Sequence, residues 1–158
     1  MEWSRGEYVI STDRTRLDVD VVHRFLSEDA YWSPGVSREI VERSIGNSIC
    51  FGMYRGAEQA GFARVVTDEA AIAYLADVFV LPAHRGGGLG KWLIETVLAH
   101  PDLQGLRRFF LGTADAHSLY ERYGFRPVDP GRMMERPSQH NKLRDSNAGV
   151  DPRGDCER

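Results

Sequence analysis

Seven consecutive residues, Arg85, Gly86, Gly87, Gly88, Leu89, Gly90 and Lys91, stand between an apolar stretch that ends near Val80 and an apolar run with helical spacing. A chain that passes from a strand through glycines into a helix directs successive backbone N–H groups outward at the helix start. Those groups, with the positive end of the helix dipole, bind phosphate. Glycine suits such a loop because a side chain would block the ligand's approach, and Arg85 adds a fixed cation. Two common nucleotide loops fail on spacing. A P-loop has four residues between its first glycine and Gly-Lys-Ser/Thr, whereas Gly86 and Gly90 enclose three, and Trp92 stands where the magnesium-binding hydroxyl belongs. A dinucleotide fingerprint counted from Gly86 or Gly88 puts Lys91 or Leu93 at its last glycine.

Other chemistry-bearing groups are sparse. The five histidines have no metal-ligand spacing, neither Cys50 nor Cys156 has a partner nearby, and no Ser-His-Asp or Cys-His arrangement can be read; no metal is expected. His84 and His117 read as surface or cofactor-contact residues rather than catalysts.

The loop matches the coenzyme A pattern Gln/Arg-x-x-Gly-x-Gly/Ala through Arg85, Gly88 and Gly90. Downstream, Leu119, Tyr120, Glu121, Gly124 and Phe125 match a second block, "lYe-x-x-GF", in the right order and at roughly the expected separation. On these two blocks the sequence resembles the GNAT superfamily of N-acetyltransferases over about residues 8–136, most weakly in the first forty. The resemblance implies an acetyl-CoA-dependent transfer to a primary amine by direct attack, with a small-molecule acceptor favoured over a protein. It implies that backbone groups of Val78, Phe79 and Val80 pair with the pantetheine arm as an added strand would. The amides of residues 86–91 would hold the pyrophosphate, and a strand N–H, that of Val80, would polarise the acyl carbonyl. Tyr120 falls where many members place the acid that protonates the departing thiolate. Thr113 stands where many carry asparagine, so one polar contact to the cofactor is changed. Where some members carry Glu-Asp on the central strand, this sequence has Ala76 and Asp77.

Asp77, a carboxylate among Leu75, Val78 and Phe79, is therefore the leading candidate base, beside water-mediated deprotonation and beside a purely structural acid bonded to a backbone N–H or an arginine. Tyr120 reads as general acid or as core aromatic. Tyr31 and Trp32, in a loop that borders the acceptor pocket of this fold, read equally as a wall for a cation or as loop anchors. A non-catalytic acyl-CoA-binding module is the alternative from another class.

Several elements must position these groups. Tyr8, Val9 and Ile10 predict a first strand; Leu17, Val21, Val22, Phe25 and Leu26 predict a helix over about 18–28. Pro34 and Gly35 break it, and Ser37 is placed to cap a second helix carrying Ile40, Val41 and Ile45. Strands follow over 49–54, 61–67 and 72–81, then a helix over 91–100 stopped by Pro101, a strand over 109–111, a short helix over 116–123 and a strand over 125–128. The fold class is α/β (α+β): a mixed, mainly antiparallel central sheet, splayed near Val80 and flanked by helices. Residues 1–136 read as one domain, and the polar stretch 137–158 as a disordered tail.

Composition closes off other classes. At 158 residues with 42% hydrophobic and 27% charged residues the chain is of ordinary globular make-up. A net charge of −3 argues against a nucleic-acid binder. The longest apolar stretches, 72–81 and 92–99, are too short to cross a bilayer, and the start of the sequence mixes acidic and basic residues; a cytoplasmic protein without membrane contact is expected. Homodimers are common among the proteins it resembles.

Overall fold

A computed structural model describes residues 1–136, in two units, Met1–Thr113 and a second beginning at Ala114. The expected tail over 137–158 lies outside the described residues. The first unit carries one sheet whose strands lie side by side in sequence order: β1 (Glu2–Arg5), β2 (Tyr8–Ser11), β3 (Ile49–Arg55), β4 (Glu58–Thr67), β5 (Ile72–Val80) and β6 (Arg108–Leu111). The first five are antiparallel, and β6 is parallel to β5. A parallel neighbour requires a crossover, which the helix α3 (Leu89–Leu98) supplies.

The sheet is sandwiched because alternate residues of its strands are apolar toward both faces. On one face, helices α1 (Val19–Arg24) and α2 (Arg38–Gly46) bury Val22, Val41 and Ile45 against Cys50, Phe62 and Phe79. Phe25 stacks on Phe79 with ring centroids 3.9 Å apart. On the other face α3 buries Leu93, Ile94 and Val97, and His100 beyond its end meets Phe51 edge-on at 5.4 Å. Each large side chain so buried contributes about 1.5–3 kcal/mol.

Ser37 caps α2 through Ile40 N–H, and Asp18 caps α1 through Asp20 and Val21 N–H. The first helix is shorter than its apolar spacing predicts. After Arg24 it widens into a π-helical turn, Phe25–Asp29, which keeps both Phe25 and Leu26 inside. β1 was not anticipated; it forms because Gly6 closes a tight turn that folds residues 2–5 back on β2. The second unit holds a five-residue helix α4 (His117–Glu121). Residues 125–128 form no strand. Pro127 and the nearby Pro130 lack the N–H that a strand ladder needs, and Phe125 packs edge-on against Tyr120 at 5.8 Å instead.

β5 contains the feature that matters most for the site. Phe62 faces Phe79 and Arg64 faces Ala76, so two steps along β4 match three along β5. The extra residue is a β-bulge at Asp77, whose φ is +53°. Aspartate tolerates this left-handed region better than most side chains.

Candidate functional site

The pairing of β5 with β6 covers Ile72 to Leu75 and goes no further, while β5 itself runs on to Val80. This is the splay expected near Val80. Leu81 N–H bonds to Ala60 O at 2.8 Å, and the alternation of an extended chain then turns the backbone groups of Val78 and Val80 away from β4, toward the open edge. Phe79 is buried under α1, and Val78 and Val80 are half-buried. Close approach of β4 to this end of β5 depends on Gly61. A Cβ there would lie 2.7 Å from Phe79 O.

Past Val80 the chain makes a 3-10 turn, Pro82–His84, and enters the glycine loop. Gly86 and Gly88 have φ of +95° and +72°, so they supply left-handed conformations as well as room. Gly88 is the N-cap of α3, which begins at Leu89, two residues before the predicted start. The first intrahelical bond runs from Trp92 N–H to Gly88 O at 3.1 Å, and the amides ahead of it point past the helix start. Nothing lies within 4 Å of a Cβ built on Gly86 or Gly88, which leaves the space in front of the loop clear for a ligand. Arg85 is exposed, and its Nε donates to Val80 O at 2.9 Å, so its guanidinium sits between the open strand edge and the loop. Lys91 is exposed on the first turn of α3.

The bulge brings three separate segments together. Asp77 Oδ2 accepts from Arg64 Nε of β4, and Oδ1 accepts from Trp32 Nε1 at 3.0 Å. Arg64 also reaches Ser48 Oγ at 3.3 Å. The Asp77 and Arg64 side chains are 12% and 18% exposed, so the pair is largely withdrawn from water. Tyr31 meets the Trp32 ring edge-on at 5.1 Å, and both aromatics remain exposed, at 54% and 41%. The structure thus gives Asp77 the arginine partner of its structural reading and ties it to the loop of Tyr31 and Trp32. Arg64 was missed by sequence reading, because its partner is thirteen residues away and meets it only through the β4–β5 register.

Thr113 closes the first unit, half-buried. In the second unit Tyr120 lies half-buried on α4, its N–H bonded to Ala116 O at 3.2 Å.

A cavity of about 460 Å³ opens at the other end of the sheet, lined among others by Ser48, Cys50, Thr67, His100 and Asp102, none of them in the glycine loop. Burial pushes the Cys50 thiol up to about 11 and lowers the pKa of His100. Among the described residues no group of three or more His, Cys, Asp or Glu could hold a metal ion, and no helix is long and apolar enough to cross a membrane.

Residues 46–127 match the family described as the Acetyltransferase (GNAT) domain. A protein of Gibberella zeae, named as a candidate acetyltransferase, is 36% identical over 140 residues, which span 75% of this chain and 78% of the relative. The crystal structure of a candidate acetyltransferase of the GNAT family from Xanthomonas campestris pv. campestris superposes with a TM-score of 0.82 at 50% identity, covering 85% of this chain and 96% of that one. A GNAT family acetyltransferase from Elizabethkingia anophelis, solved with acetyl-CoA bound, shares the fold with a TM-score of 0.58 at 17% identity, covering 79% and 80%.

Proposed function

The chain belongs to the GNAT acetyltransferase family, and from that premise we propose that it transfers the acetyl group of acetyl-CoA to a primary amine by direct attack, a small molecule being the favoured acceptor. The observation that carries this reading is the open edge of β5 at Val78 and Val80, running through Arg85 into a loop with clear space before it. Acetyl-CoA supplies an activated thioester, and the residues present suit it. Val78 and Val80 offer strand-edge donors and acceptors to the amides of its arm. The amides of residues 86–91, with Gly87 and Gly90 adding no bulk, take the pyrophosphate at the positive end of α3, and Arg85 and Lys91 add charge.

In the transfer, Val80 N–H stabilises the charge that builds on the acyl oxygen. The amine nitrogen forms its bond to the acyl carbon as the carbon–sulfur bond breaks. Tyr120 gives its proton to the departing thiolate, and the amine's surplus proton leaves through water, since Arg64 and Trp32 hold both oxygens of Asp77, the other candidate base. Trp32, held by Asp77, and its neighbour Tyr31 border the acceptor. Holding two reactants in register supplies much of the rate, and Thr113 contributes a polar cofactor contact.

Isothermal titration of acetyl-CoA into the wild type, Arg85→Ala and Gly88→Glu tests the reading. Binding by the wild type and its loss in Gly88→Glu support the cofactor site, and acetylation within an amine panel then tests transfer. Folded wild type, free of copurified coenzyme A, that binds nothing overturns it; binding without turnover of any amine would favour a non-catalytic acyl-CoA module.

A further inference from the structure

His84 is 6% exposed, an imidazole buried immediately before an exposed loop. Its Nδ1 lies 3.1 Å from Tyr8 Oη of β2, and the Tyr8 ring meets it edge-on at 5.8 Å. Its Nε2 is buried without a hydrogen-bond partner and lies 3.5 Å from Glu58 Oε1 at the start of β4. A buried polar atom left unpaired is costly, and a leucine would fill such a position without that cost. Residues 85–88 are all exposed, while His84 before them and Leu89 after them are both buried. The two therefore pin the ends of the loop. Between them stand three glycines, the residue type that loses most conformational freedom on ordering, so the cradle depends on how firmly its ends are held.

Resting on the acetyl-CoA reading above, we propose that His84 is a positioning residue for the pyrophosphate loop, clamped by Tyr8 and Glu58 so that Arg85 and the loop amides are ordered before the ligand arrives. With Tyr8 Oη–H donating to Nδ1, Nε2 carries the ring proton, 3.5 Å from the Glu58 carboxylate, whose charge lies on that side of the ring. The clamp joins β2, β4 and the 3-10 turn that follows β5 at one point, and it acts on the phosphate end of the ligand rather than on the thioester.

The distinguishing measurement compares acetyl-CoA with S-acetylpantetheine, which carries the thioester and pantetheine but no pyrophosphate. Titration of acetyl-CoA, with displacement by S-acetylpantetheine, is made for the wild type, His84→Leu, His84→Asn, Tyr8→Phe and Glu58→Gln, each confirmed folded by circular dichroism. His84→Leu is expected to weaken acetyl-CoA about tenfold and to leave S-acetylpantetheine within about twofold of wild type. His84→Asn, whose amide oxygen can accept from Tyr8, should recover part of the loss. If His84→Leu fails to fold, Tyr8→Phe and Glu58→Gln carry the test, each weakening acetyl-CoA selectively. Equal losses for both ligands, or no loss for either, overturn the proposal while leaving the acetyl-CoA reading intact. Wild type that binds no acetyl-CoA overturns that reading and the role of His84 with it.

Discussion

Replacing Asp77 by alanine would remove both acceptors that join β4, the bulge and the Trp32 loop. The Arg64 guanidinium would remain in a position where only 18% of its side chain reaches solvent, with Ser48 Oγ at 3.3 Å. Breaking a fully buried pair by deleting one partner costs about 3–5 kcal/mol, and the residual exposure of both side chains lowers that to about 2–3 kcal/mol. Loss of the half-exposed Trp32 bond adds about 0.5–1 kcal/mol. The expected total is about 3 kcal/mol, a fall in Tm of about 6–12 °C for a chain of this size. Urea denaturation followed by circular dichroism measures it, on Asp77→Ala, Arg64→Met and the double variant. Because either single change strands a charge, the double variant should be less damaged than the sum of the singles by about 2 kcal/mol. A cost below about 1 kcal/mol for Asp77→Ala, with additivity to within about 0.5 kcal/mol, would refute the claim that the pair holds the bulge.

Three further outcomes follow from other sites. Gly61→Ala should cost about 2 kcal/mol and weaken acetyl-CoA binding, since its Cβ would press on Phe79 O and Val80 Cα at 2.7 and 3.4 Å; an unchanged midpoint and affinity would show that the strands can part freely. Asp68 accepts from Ile72, Ala71 and Ala70 N–H, which lower its pKa from 3.8 to about 2. Its stabilisation is therefore present above the unfolded value and lost as pH falls through the folded one. The stability gap between wild type and Asp68→Ala should be constant above about pH 5 and close toward about pH 1, and a gap that stays unchanged from about pH 5 down to about pH 2 would contradict this. With the Cys50 thiol raised to about 11 by burial, a Cys156→Ser variant should resist iodoacetamide at mildly alkaline pH when native and react in urea; prompt native labelling would place Cys50 in contact with solvent.

How far the sequence could be read depended on the range of the interaction involved. The glycine loop and the helix after it were legible because their signal is local: glycine identity, a preceding apolar strand and a following apolar stripe. The caps at Ser37 and the β3–β4 and β4–β5 hairpins were legible for the same reason. β1 was not, since Glu2–Arg5 has little apolar content and becomes a strand only by pairing with β2. Residues 125–128 misled because Phe125 and Val128 look strand-like, while the prolines beside them limit pairing. Arg64 and Gly61 were invisible for a third reason. Their roles come from a cross-strand register shifted by one residue, and no local pattern announces such a shift. Asp77 drew notice for its charge, yet the arginine and the indole that occupy its two oxygens become neighbours only in the folded sheet.

That one-residue shift also sets how the strand tolerates length changes. Before Asp77 the odd-numbered residues Ala73 and Leu75 are buried on the side away from α1; after it the odd-numbered Phe79 is buried beneath α1, stacked on Phe25. The bulge is a phase change written into the chain. Deleting residue 77 would return β5 to plain alternation with the frame beyond it kept: Ala76 would still face Arg64, Val78 would fall opposite Ala63, and Phe79 would stay opposite Phe62 and stacked on Phe25, the loss being that of the Arg64 and Trp32 bonds to Asp77. An insertion beside Asp77 would by contrast add a second extra residue and turn the strand beyond it over, taking Phe79 off Phe25 and the backbone groups of Val78 and Val80 toward β4. Loop and turn segments of this chain can change length by one residue and absorb it locally; β5 can absorb a loss only at its bulge, and a residue added there inverts the surface presented to the ligand.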